Sequence, residues 1–370
     1  MNILVITPLY PPAVGGAATY FGDVMPRLAA LDEIDRLTVL TERLPRQPSE
    51  TVVGDLRLLR WLPRRVSGTR RRWIGHAATY LLTQLWMATQ LPALVKREDA
   101  DLIHFHTRYR GRLFFDALKR VEVPVIADLR DKMTDPAPLA KVADRLLCCG
   151  EGVQRFAVDE GFPAERTALI PIPFTSPDVP LQARSMPVRR RYGIGEVPFL
   201  LFLGDITYNK GAYDLLDAYR SWRTRHPQVD LIYAGANREG GRFREHIDRT
   251  PGVRYLGRVP HQDAFGLIRA AEIVVLPSRS EGLPRVILEA LALGTKVICP
   301  PGIPEFERHL PEFVLPDVTP NSIVMTLDKV WNSQGVPSYP LSDHSVSHVV
   351  ELLASAYRVS VAHPHSLRRS

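Results

Sequence analysis

The stretch EIVVLPSRSEGLPRVILEALALGTKVICP, residues 272–300, contains the pattern that decides the fold. Its two ends are short apolar runs, which predict buried strands. Between them, Pro284 suits the first turn of a helix and Gly294 suits its C-terminal cap, so a helix is predicted over 284–293. A strand, a helix and a second strand in this order are typical of a parallel sheet, so the stretch predicts an α/β protein.

The same alternation of apolar runs and amphipathic helices fills the rest of the chain. Predicted strands are 2–7, 37–41, 101–107, 123–129, 145–150, 168–174, 199–204, 230–235 and 253–259, and predicted helices include 17–31, 211–226 and 262–271. Residues 176–198 are rich in Pro, Ser and Arg and predict a linker. We therefore predict two doubly wound Rossmann-like domains, 1–175 and 199–345, and a C-terminal helix, 346–370, for which we consider a return to the first domain.

Two parallel sheets joined by one linker predict a cleft between the domains. In open α/β sheets, ligands bind outside the carboxyl ends of the strands. The loops that follow strands are therefore expected to face that cleft and to carry the function.

Composition sets further bounds on the class of protein. The chain has 370 residues, a formal charge of +7 and a pI of about 9.4, which favours an anionic partner such as nucleotide phosphate or a membrane surface. Cys148, Cys149 and Cys299 show no metal or disulfide spacing, so we expect reduced thiols, no metal and a cytoplasmic protein. The start MNILVITPLY predicts a strand and not a signal peptide, and no apolar run reaches the length of a membrane span.

The loop 278–283 and the helix after it form a candidate anion site. Free backbone amides and the helix dipole favour a phosphate there, and Gly282 allows the backbone to approach a ligand closely. Glu289 is the only acid in an otherwise apolar helix, so it is predicted to be buried and to need partners. Two interpretations stay open: Glu289 accepts hydrogen bonds from a ribose diol, or it pairs with a neighbouring Arg or Lys to hold the fold.

Glu281 and Glu289 stand eight positions apart, in an E-x7-E pattern. This segment resembles the signature of retaining glycosyltransferases of the glycogen-synthase-like superfamily, family four, which have the GT-B fold of two Rossmann-like domains. Three more segments resemble that family: PLYPPAVGGAATYFGDVMPRLA at 8–29, LFLGDITYNKGAYDLLDAY at 201–219 and VRYLGRVPHQDAFGLIRAAEIVVLPSRSEG at 253–282. The resemblance implies transfer of a hexose from a nucleotide-diphosphate sugar to an acceptor, with retention and without a metal or other cofactor.

The resemblance also implies roles for residues of the C-terminal half. Glu289 would bind the donor ribose, Glu281 would lie against the transferred sugar, and Lys210 would neutralise the diphosphate as the glycosidic bond breaks. Further donor-binding positions that it implies are Gly204, Gly257, Arg258, Val259, Gly282 and Leu283. The alternative for Lys210 is a solvated lysine at a helix start.

The chain departs from the family in two places. Residues 170–174 are Ile-Pro-Ile-Pro-Phe where the family tends to show Ile-Pro-Asn-Gly, so that loop is expected to have another shape. The other departure concerns an arginine. An arginine usually follows the glycine that ends the first strand of the second domain, and here that residue is Asp205. We expect Asp205 to turn away from the phosphates or to pair with a nearby cation. Arg285 or Arg279 is then expected to supply the second positive charge. The catalytic candidates are therefore Lys210, Glu281 and Arg285.

The N-terminal half offers a second set of candidates. They are Gly15 and Gly16 on the donor side, and His106, Asp128, Arg130 and Asp131 on the acceptor side. The glycine pair allows close approach of a phosphate or sugar, or it only serves a turn. The stretch ADLRD, 127–131, resembles a turn that borders the acceptor in one branch of the family, with an ion pair between Arg130 and Asp131 as the alternative. His104 and His106 share one strand face, and a structural role is favoured for His104.

Arginines cluster just before a long apolar helix. They are Arg57, Arg60, Arg64, Arg65, Arg70, Arg71 and Arg72, and the helix is predicted over 72–96. Because a basic lead-in and an apolar helix suit anionic lipid, residues 57–96 are a candidate for peripheral contact with the inner face of a membrane. The alternative is a core helix with a solvated basic loop. No nucleic-acid motif accompanies the charge, so RNA or DNA binding is not expected.

Two other functions fit the same fold. A nucleotide-sugar epimerase needs no separate acceptor pocket, and a non-catalytic glycosyltransferase-like partner protein would explain Asp205. With nucleotide sugars the epimerase would interconvert them, whereas the partner protein would bind them without turnover.

Overall fold

The structure, a computed structural model, describes residues 1–13, 15–64, 72–174 and 185–363. The chain divides into two compact units, each with its own sheet. The N-terminal unit is Met1–Pro173 together with the segment that starts at Asp343, and the C-terminal unit is Phe174–Ser342.

The N-terminal unit alternates strands and helices. In chain order they are β1 (Asn2–Ile6), α1 (Gly16–Ala29), β2 (Arg36–Glu42), β3 (Glu50–Val53), β4 (Leu56–Leu62), α2 (Arg72–Arg97), β5 (Leu102–His106), α3 (Arg112–Leu118), β6 (Val125–Leu129), β7 (Arg145–Cys148), α4 (Glu151–Asp159) and β8 (Thr167–Leu169). The described strands form one sheet in the order β3-β4-β2-β1-β5-β6-β7-β8. Neighbours in that sheet run parallel, apart from the antiparallel pair β3–β4.

Both faces of this sheet are buried. Successive side chains of a strand point to opposite faces, and the side chains of β1 are buried on each face. Leu4 and Ile6 belong to one buried apolar cluster, whereas Ile3 and Val5 belong to another. Near-continuous apolar strands such as β1 are typical of a parallel sheet that is covered on both sides.

The C-terminal unit repeats the pattern with a smaller sheet. Its elements are α5 (Ser185–Arg191), β9 (Phe199–Leu203), α6 (Ala212–Arg223), β10 (Asp230–Ala234), α7 (Gly241–Asp248), β11 (Val253–Tyr255), α8 (His261–Ala270), β12 (Ile273–Val275), α9 (Arg285–Ala292), β13 (Lys296–Ile298), α10 (Pro304–His309) and α11 (Pro320–Asn332). The described strands are parallel in the order β11-β10-β9-β12-β13. From β9 the chain adds β10 and β11 on one side of the sheet, and it then crosses over to add β12 and β13 on the other side.

The last helix, α12 (Val346–Ala362), belongs to the N-terminal unit. It packs against α1 and β5, and Val349, Leu353 and Tyr357 are fully buried there. The Tyr357 hydroxyl lies 2.6 Å from Nδ1 of His104, a buried residue of β5. A segment from the far end of the chain therefore completes the core of the first unit.

Three elements differ from the sequence-based prediction. The hairpin β3–β4 is absent from that prediction, although Gly54-Asp55 between two β-prone runs is a turn signal and Gly54 has φ +59°. Strand β8 ends at Leu169, well short of the predicted residue 174. Helix α5 lies inside the predicted linker because tertiary contacts hold it: Arg191 donates two 2.8 Å hydrogen bonds to Asp263 of α8.

Candidate active site

The strand order of the C-terminal unit defines where a ligand can bind. In an open parallel sheet, the crevice lies at the carboxyl ends of the strands where the chain reverses its direction of growth. Here that point lies between β9 and β12. The loop after β9 carries Lys210, and the loop after β12 carries Glu281.

The two loops touch because Gly211 has no side chain. Gly211 precedes α6 with φ +69°, and a Cβ atom built on it would overlap the backbone carbonyl of Pro277. Backbone and side-chain hydrogen bonds hold the same contact, since Arg279 N–H donates to the carbonyl of Asn209 at 2.8 Å and Ser278 Oγ donates to it at 3.3 Å. The turn that carries Lys210 is therefore fixed against the start of the β12–α9 loop.

This contact brings Lys210 and Glu281 together. The ammonium group of Lys210 donates to a carboxylate oxygen of Glu281 in an ion pair. The Lys210 side chain is 30% exposed and that of Glu281 is 11% exposed. The pair is accessible enough to exchange partners with a charged ligand, and Lys210 is not the solvated lysine of the alternative interpretation.

A second pair follows on helix α9. Glu289 is buried, and its Oε1 accepts a 3.0 Å hydrogen bond from Nε of Arg285, one turn earlier. Nε2 of His261, the first residue of α8, lies 3.5 Å from the same oxygen. The structure thus agrees with the interpretation in which Glu289 pairs with an arginine, and it leaves the ribose role of Glu289 a prediction.

Asp205 stands where the family usually has an arginine, and two arginines of this region are already paired with acids. Asp205 pairs with Arg238 at 2.9 Å, which confirms the prediction that it finds a nearby cation. Arg279 is engaged by Asp214 at 2.8 Å and lies over the Tyr208 ring. Arg238, in the loop after β10, is not a candidate on sequence grounds because no local pattern links it to Asp205.

The remaining donor-side candidates of this unit lie on the same ends of the strands. Gly204 directly follows β9 and Gly257 follows β11, and both have positive φ. Arg258 is exposed and Val259 is half-buried between Gly257 and α8, whereas Gly282 and Leu283 are buried before α9.

The N-terminal unit has an equivalent reversal point between β1 and β5. Gly15 and Gly16 follow β1 and open α1, and Gly15 has φ +149°. His106 ends β5, and its ring lies 6.0 Å from that of Phe21 in α1. The glycine pair and His106 therefore stand at neighbouring strand ends.

Asp128 and Arg130 form an ion pair inside the N-terminal unit. Nε of Arg130 donates to Asp128 at 2.9 Å, and its guanidinium lies 3.3 Å from the centroid of the Tyr20 ring. Burial opposes the charge on Asp128, but Arg130 and His104 outweigh it and lower the pKa of Asp128. Both residues were predicted on the acceptor side. The structure pairs them with each other in the interior of the unit, and their acceptor-side role stays a prediction.

Asp131 does not pair with Arg130, so the alternative ion pair is wrong. Its Oδ1 instead accepts from the backbone N–H groups of Met133 and Thr134 at 2.9 and 3.1 Å. Asp131 and His106 both line a pocket of about 470 Å³ that helix α2 closes on one side. These two acceptor-side candidates are therefore the ones that face open space.

The described residues contain no cluster of His, Cys, Asp and Glu arranged to hold a metal. Cys148, Cys149 and Cys299 are buried and free, and burial raises the pKa values of Cys148 and Cys299 above the ordinary thiol value. Among the described helices, none is both long enough and apolar enough to cross a membrane.

Two family models match the chain. The model described as "Glycosyl transferase 4-like domain" matches residues 15–173, and the model described as "Glycosyl transferases group 1" matches residues 197–332. The matches fall on the N-terminal and C-terminal units respectively, and together they cover most of the sequence. The chain therefore belongs to the group 1 glycosyltransferases.

Solved structures share the fold. The chain is similar to sucrose-phosphate synthase from Thermosynechococcus elongatus, with a TM-score of 0.67 and 16% identity over 99% of this chain and 98% of that one. It is also similar to Anabaena HepE in complex with UDP-glucose, with a TM-score of 0.62 and 18% identity over 97% and 96% of the two chains. The predicted pair of Rossmann-like domains of the GT-B type is thus confirmed.

Curated relatives match shorter segments. O-antigen chain mannosyltransferase B from Escherichia coli is 31% identical over 144 residues, which are 37% of this chain and 38% of that protein. D-inositol 3-phosphate glycosyltransferase from Corynebacterium jeikeium is 36% identical over 124 residues, which are 30% and 29% of the two chains. The chain thus spans less than two fifths of the length of either relative.

The contact between Gly211 and Pro277 makes a prediction about stability. Gly211→Ala adds strain from a left-handed φ and a clash with a backbone carbonyl, so we expect a loss of more than about 2 kcal/mol. Gly240→Ala is the matched control, because Gly240 has φ +70° but open space where the methyl group of an alanine would lie. Differential scanning calorimetry should show a clearly lower Tm for Gly211→Ala than for Gly240→Ala. Equal melting temperatures would contradict the close contact.

Proposed function

We propose that the protein transfers a sugar from a nucleotide-diphosphate sugar to an acceptor hydroxyl. The observation that carries this proposal is the pair of Lys210 and Glu281 at the reversal point of the C-terminal sheet. Buried or half-buried charges at such a point serve a charged ligand, and a donor diphosphate is one. The similarity to HepE, whose structure contains UDP-glucose, supports the same donor class.

In this proposal Lys210 neutralises the leaving diphosphate. Charge grows on the bridging phosphate oxygen as the glycosidic bond breaks, and a positioned cation stabilises that charge. Lys210 would exchange Glu281 for phosphate, which leaves the Glu281 carboxylate free to accept hydrogen bonds from sugar hydroxyls. No metal or other cofactor is part of the proposal, and retention of anomeric configuration rests on the family resemblance.

Glu289 is proposed to bind the donor ribose, and Arg285 to hold Glu289 in place. Because Arg285 and Glu289 lie four residues apart on one helix face, the ion pair fixes the carboxylate where α9 begins. His261, the first residue of α8, approaches the same carboxylate, and the residues just before α8, Gly257, Arg258 and Val259, are the proposed contacts to the base. This proposal differs from our expectation that Arg285 or Arg279 supplies the second positive charge at the phosphates.

The acceptor is proposed to bind in the pocket of about 470 Å³ that His106 and Asp131 line. Burial lowers the pKa of His106 to about 4, so its ring is neutral at pH 7. Nδ1 accepts a 3.0 Å hydrogen bond from the backbone N–H of Arg108, so the proton of the neutral ring is on Nε2. His106 is therefore a hydrogen-bond donor toward an acceptor hydroxyl, and the carboxylate of Asp131 is the complementary acceptor.

We also propose a peripheral contact of the cytoplasmic protein with anionic membrane through helix α2. Leu81, Leu82 and Leu85 are 54%, 55% and 45% exposed on one side of that helix. Of the predicted basic segment, Arg57 and Arg60 are instead part of β4 and hold the fold, since Arg57 pairs with Glu98 and Arg60 is buried. Arg65, Arg70 and Arg71 lie outside the described residues, as does the side chain of Arg72.

Turnover tests the role of Lys210. Lys210→Ala should lower kcat for donor hydrolysis or transfer by at least about a hundredfold, which is the effect of losing one preorganised charge-stabilising donor. Lys329→Ala, an exposed lysine of α11 that is 54% accessible, is the control and should keep wild-type kcat. Full turnover by a folded Lys210→Ala protein would refute the assignment.

Nucleotide affinity tests the role of Glu289. Glu289→Gln should weaken binding of a nucleoside diphosphate by about 1–3 kcal/mol, because it removes a charge-assisted hydrogen bond to the ribose. Glu272→Gln, at the opposite end of β12, should bind as the wild type does. Calorimetric titration of both variants gives the comparison, and an unchanged affinity in Glu289→Gln would rule out the ribose contact.

Liposome sedimentation tests the membrane proposal. Binding to phosphatidylglycerol vesicles should occur at low salt and fall at physiological salt, where exposed charges are screened beyond about 8 Å. Leu82→Ser with Leu85→Ser should reduce it, whereas Val359→Ser, an exposed apolar residue of α12, should not. Absence of sedimentation at low salt would end the membrane proposal and leave the proposed transfer reaction unaffected.

A further inference from the structure

A second pocket of the N-terminal unit contains two tryptophans and lies away from the proposed acceptor pocket. It has a volume of about 380 Å³, within the size range of small-molecule sites. Its apolar lining is Trp61, Trp86, Ala93 and Leu94, and both tryptophans are half-buried. Arg43, Ser49, Gln90 and Arg97 provide its polar groups, and no acid is among the described residues that line it.

The local structure explains how Trp61 comes to line this pocket. Thr41 pairs with Arg60 and Glu42 pairs with Leu62, so Trp61 is the extra residue of a β-bulge between β2 and β4. A bulge changes the direction of the extra side chain relative to the regular pleat. The guanidinium of Arg97, at the end of α2, lies 4.6 Å from the centroid of the Trp61 ring.

The charges of the pocket leave one arginine uncompensated. Arg97 donates through Nε and Nη2 to Glu98 at 3.1 and 2.8 Å, so its charge is balanced by a buried carboxylate. Arg43 is exposed, and among the described residues no hydrogen bond or ion pair engages its side chain. An anionic group in the pocket would therefore be attracted chiefly by Arg43, whose planar fork suits a carboxylate.

The chemistry of the lining fits a sugar ring. Indole faces provide flat apolar surface against which the C–H face of a sugar can be buried. Ser49 and Gln90 offer donors and acceptors for hydroxyl groups at the ring edge. An acidic sugar such as a uronate combines both requirements, because it adds a carboxylate for Arg43.

The pocket of Trp61 and Trp86, called the tryptophan pocket below, and the proposed acceptor pocket are lined by the same helix, α2. Thr79, Thr83, Trp86 and Gln90 are spaced by four, three and four residues, so they share one side of α2. The first two line the acceptor pocket and the last two line the tryptophan pocket. Thr83 and Gln90 are separated by a helix rise of about 10 Å, which a short oligosaccharide can span.

We propose that the tryptophan pocket is a distal subsite that binds an acidic sugar unit of an extended glycan acceptor. That the bound glycan is an acceptor rests on the proposed function. Binding of the glycan to this pocket needs neither donor nor turnover. The acceptor class that follows is an oligosaccharide or polysaccharide with carboxylate-bearing units, bound along one side of α2.

Isothermal titration calorimetry on the full chain, without nucleotide sugar, tests this subsite. The probe is trigalacturonate, and the neutral probe is maltotriose. Wild-type protein should bind trigalacturonate at least about tenfold more tightly than maltotriose, because only the former places a carboxylate at Arg43. Arg43→Gln and Trp86→Ala should each weaken trigalacturonate binding by about tenfold or more, whereas Arg36→Gln, an exposed arginine at the start of β2, should not.

Several results would overturn the inference. They are no binding of trigalacturonate, equal binding of maltotriose, and binding that survives Arg43→Gln. Arg43-dependent binding of phosphatidylglycerol vesicles without any binding of trigalacturonate would assign the pocket to a lipid headgroup instead. Trp86 also packs against the core, so the folding of each variant is checked by a thermal melt. If Trp86→Ala does not fold, the result for Arg43→Gln alone tests the inference. Donor hydrolysis measured in parallel shows separately whether the proposed reaction stands.

Discussion

The C-terminal unit depends on one close contact, the packing of the Gly211 turn against the carbonyl of Pro277. Parallel strands place their carboxyl ends at one edge of the sheet, but this alone leaves the loops free to diverge. A residue without a side chain lets the two loops approach, and hydrogen bonds from Ser278 and Arg279 to Asn209 hold them. Only then do a lysine and a glutamate that are 71 residues apart in sequence meet as an ion pair.

The two units use charge in different ways. In the N-terminal unit, Arg130 and Asp128 neutralise each other in the interior, and Tyr20 covers the guanidinium. Removing either partner would leave a buried uncompensated charge, so this pair contributes to the integrity of the unit's interior. In the C-terminal unit, the ion pair of Lys210 and Glu281 retains access to solvent. The difference in burial separates charges that hold the fold from charges that can exchange partners.

The sequence predicted the architecture well, because the spacing of apolar residues and the positions of Pro and Gly are local signals. Pro284 and Gly294 located α9 to within one residue at each end, and the alternation of apolar runs and amphipathic helices predicted the two α/β units, although β8 and β11 end several residues before their predicted ends. The burial of Glu289 was also predictable, since an acid in an apolar helix has few other environments. The hairpin β3–β4 escapes the same reasoning, because alternating strands and helices predict parallel neighbours throughout.

The site was less predictable, because its pairs join residues that are distant in sequence. Nothing near Asp205 indicates Arg238, which arrives from the next strand end. Asp128 illustrates the same limit, because the local sequence does not show that His104 of the neighbouring strand lies beside it. For His104 a structural role is predicted from the sequence. Its partner Tyr357 is not, because that residue belongs to the last helix.

Each acid of the candidate donor site is paired with a cation. Half-buried charges without partners would destabilise the loops that carry them, so Glu281 holds Lys210 and Glu289 holds Arg285. A donor that brings its own negative charge can replace Glu281 as the partner of Lys210 without leaving that cation unpaired. Glu289 differs, because a ribose diol is neutral and can add hydrogen bonds to the carboxylate while Arg285 stays in place. In the proposed function the two ion pairs therefore suit two different parts of one ligand: the pair of Lys210 and Glu281 would open for the charged diphosphate, and the pair of Arg285 and Glu289 would stay closed beside the neutral ribose.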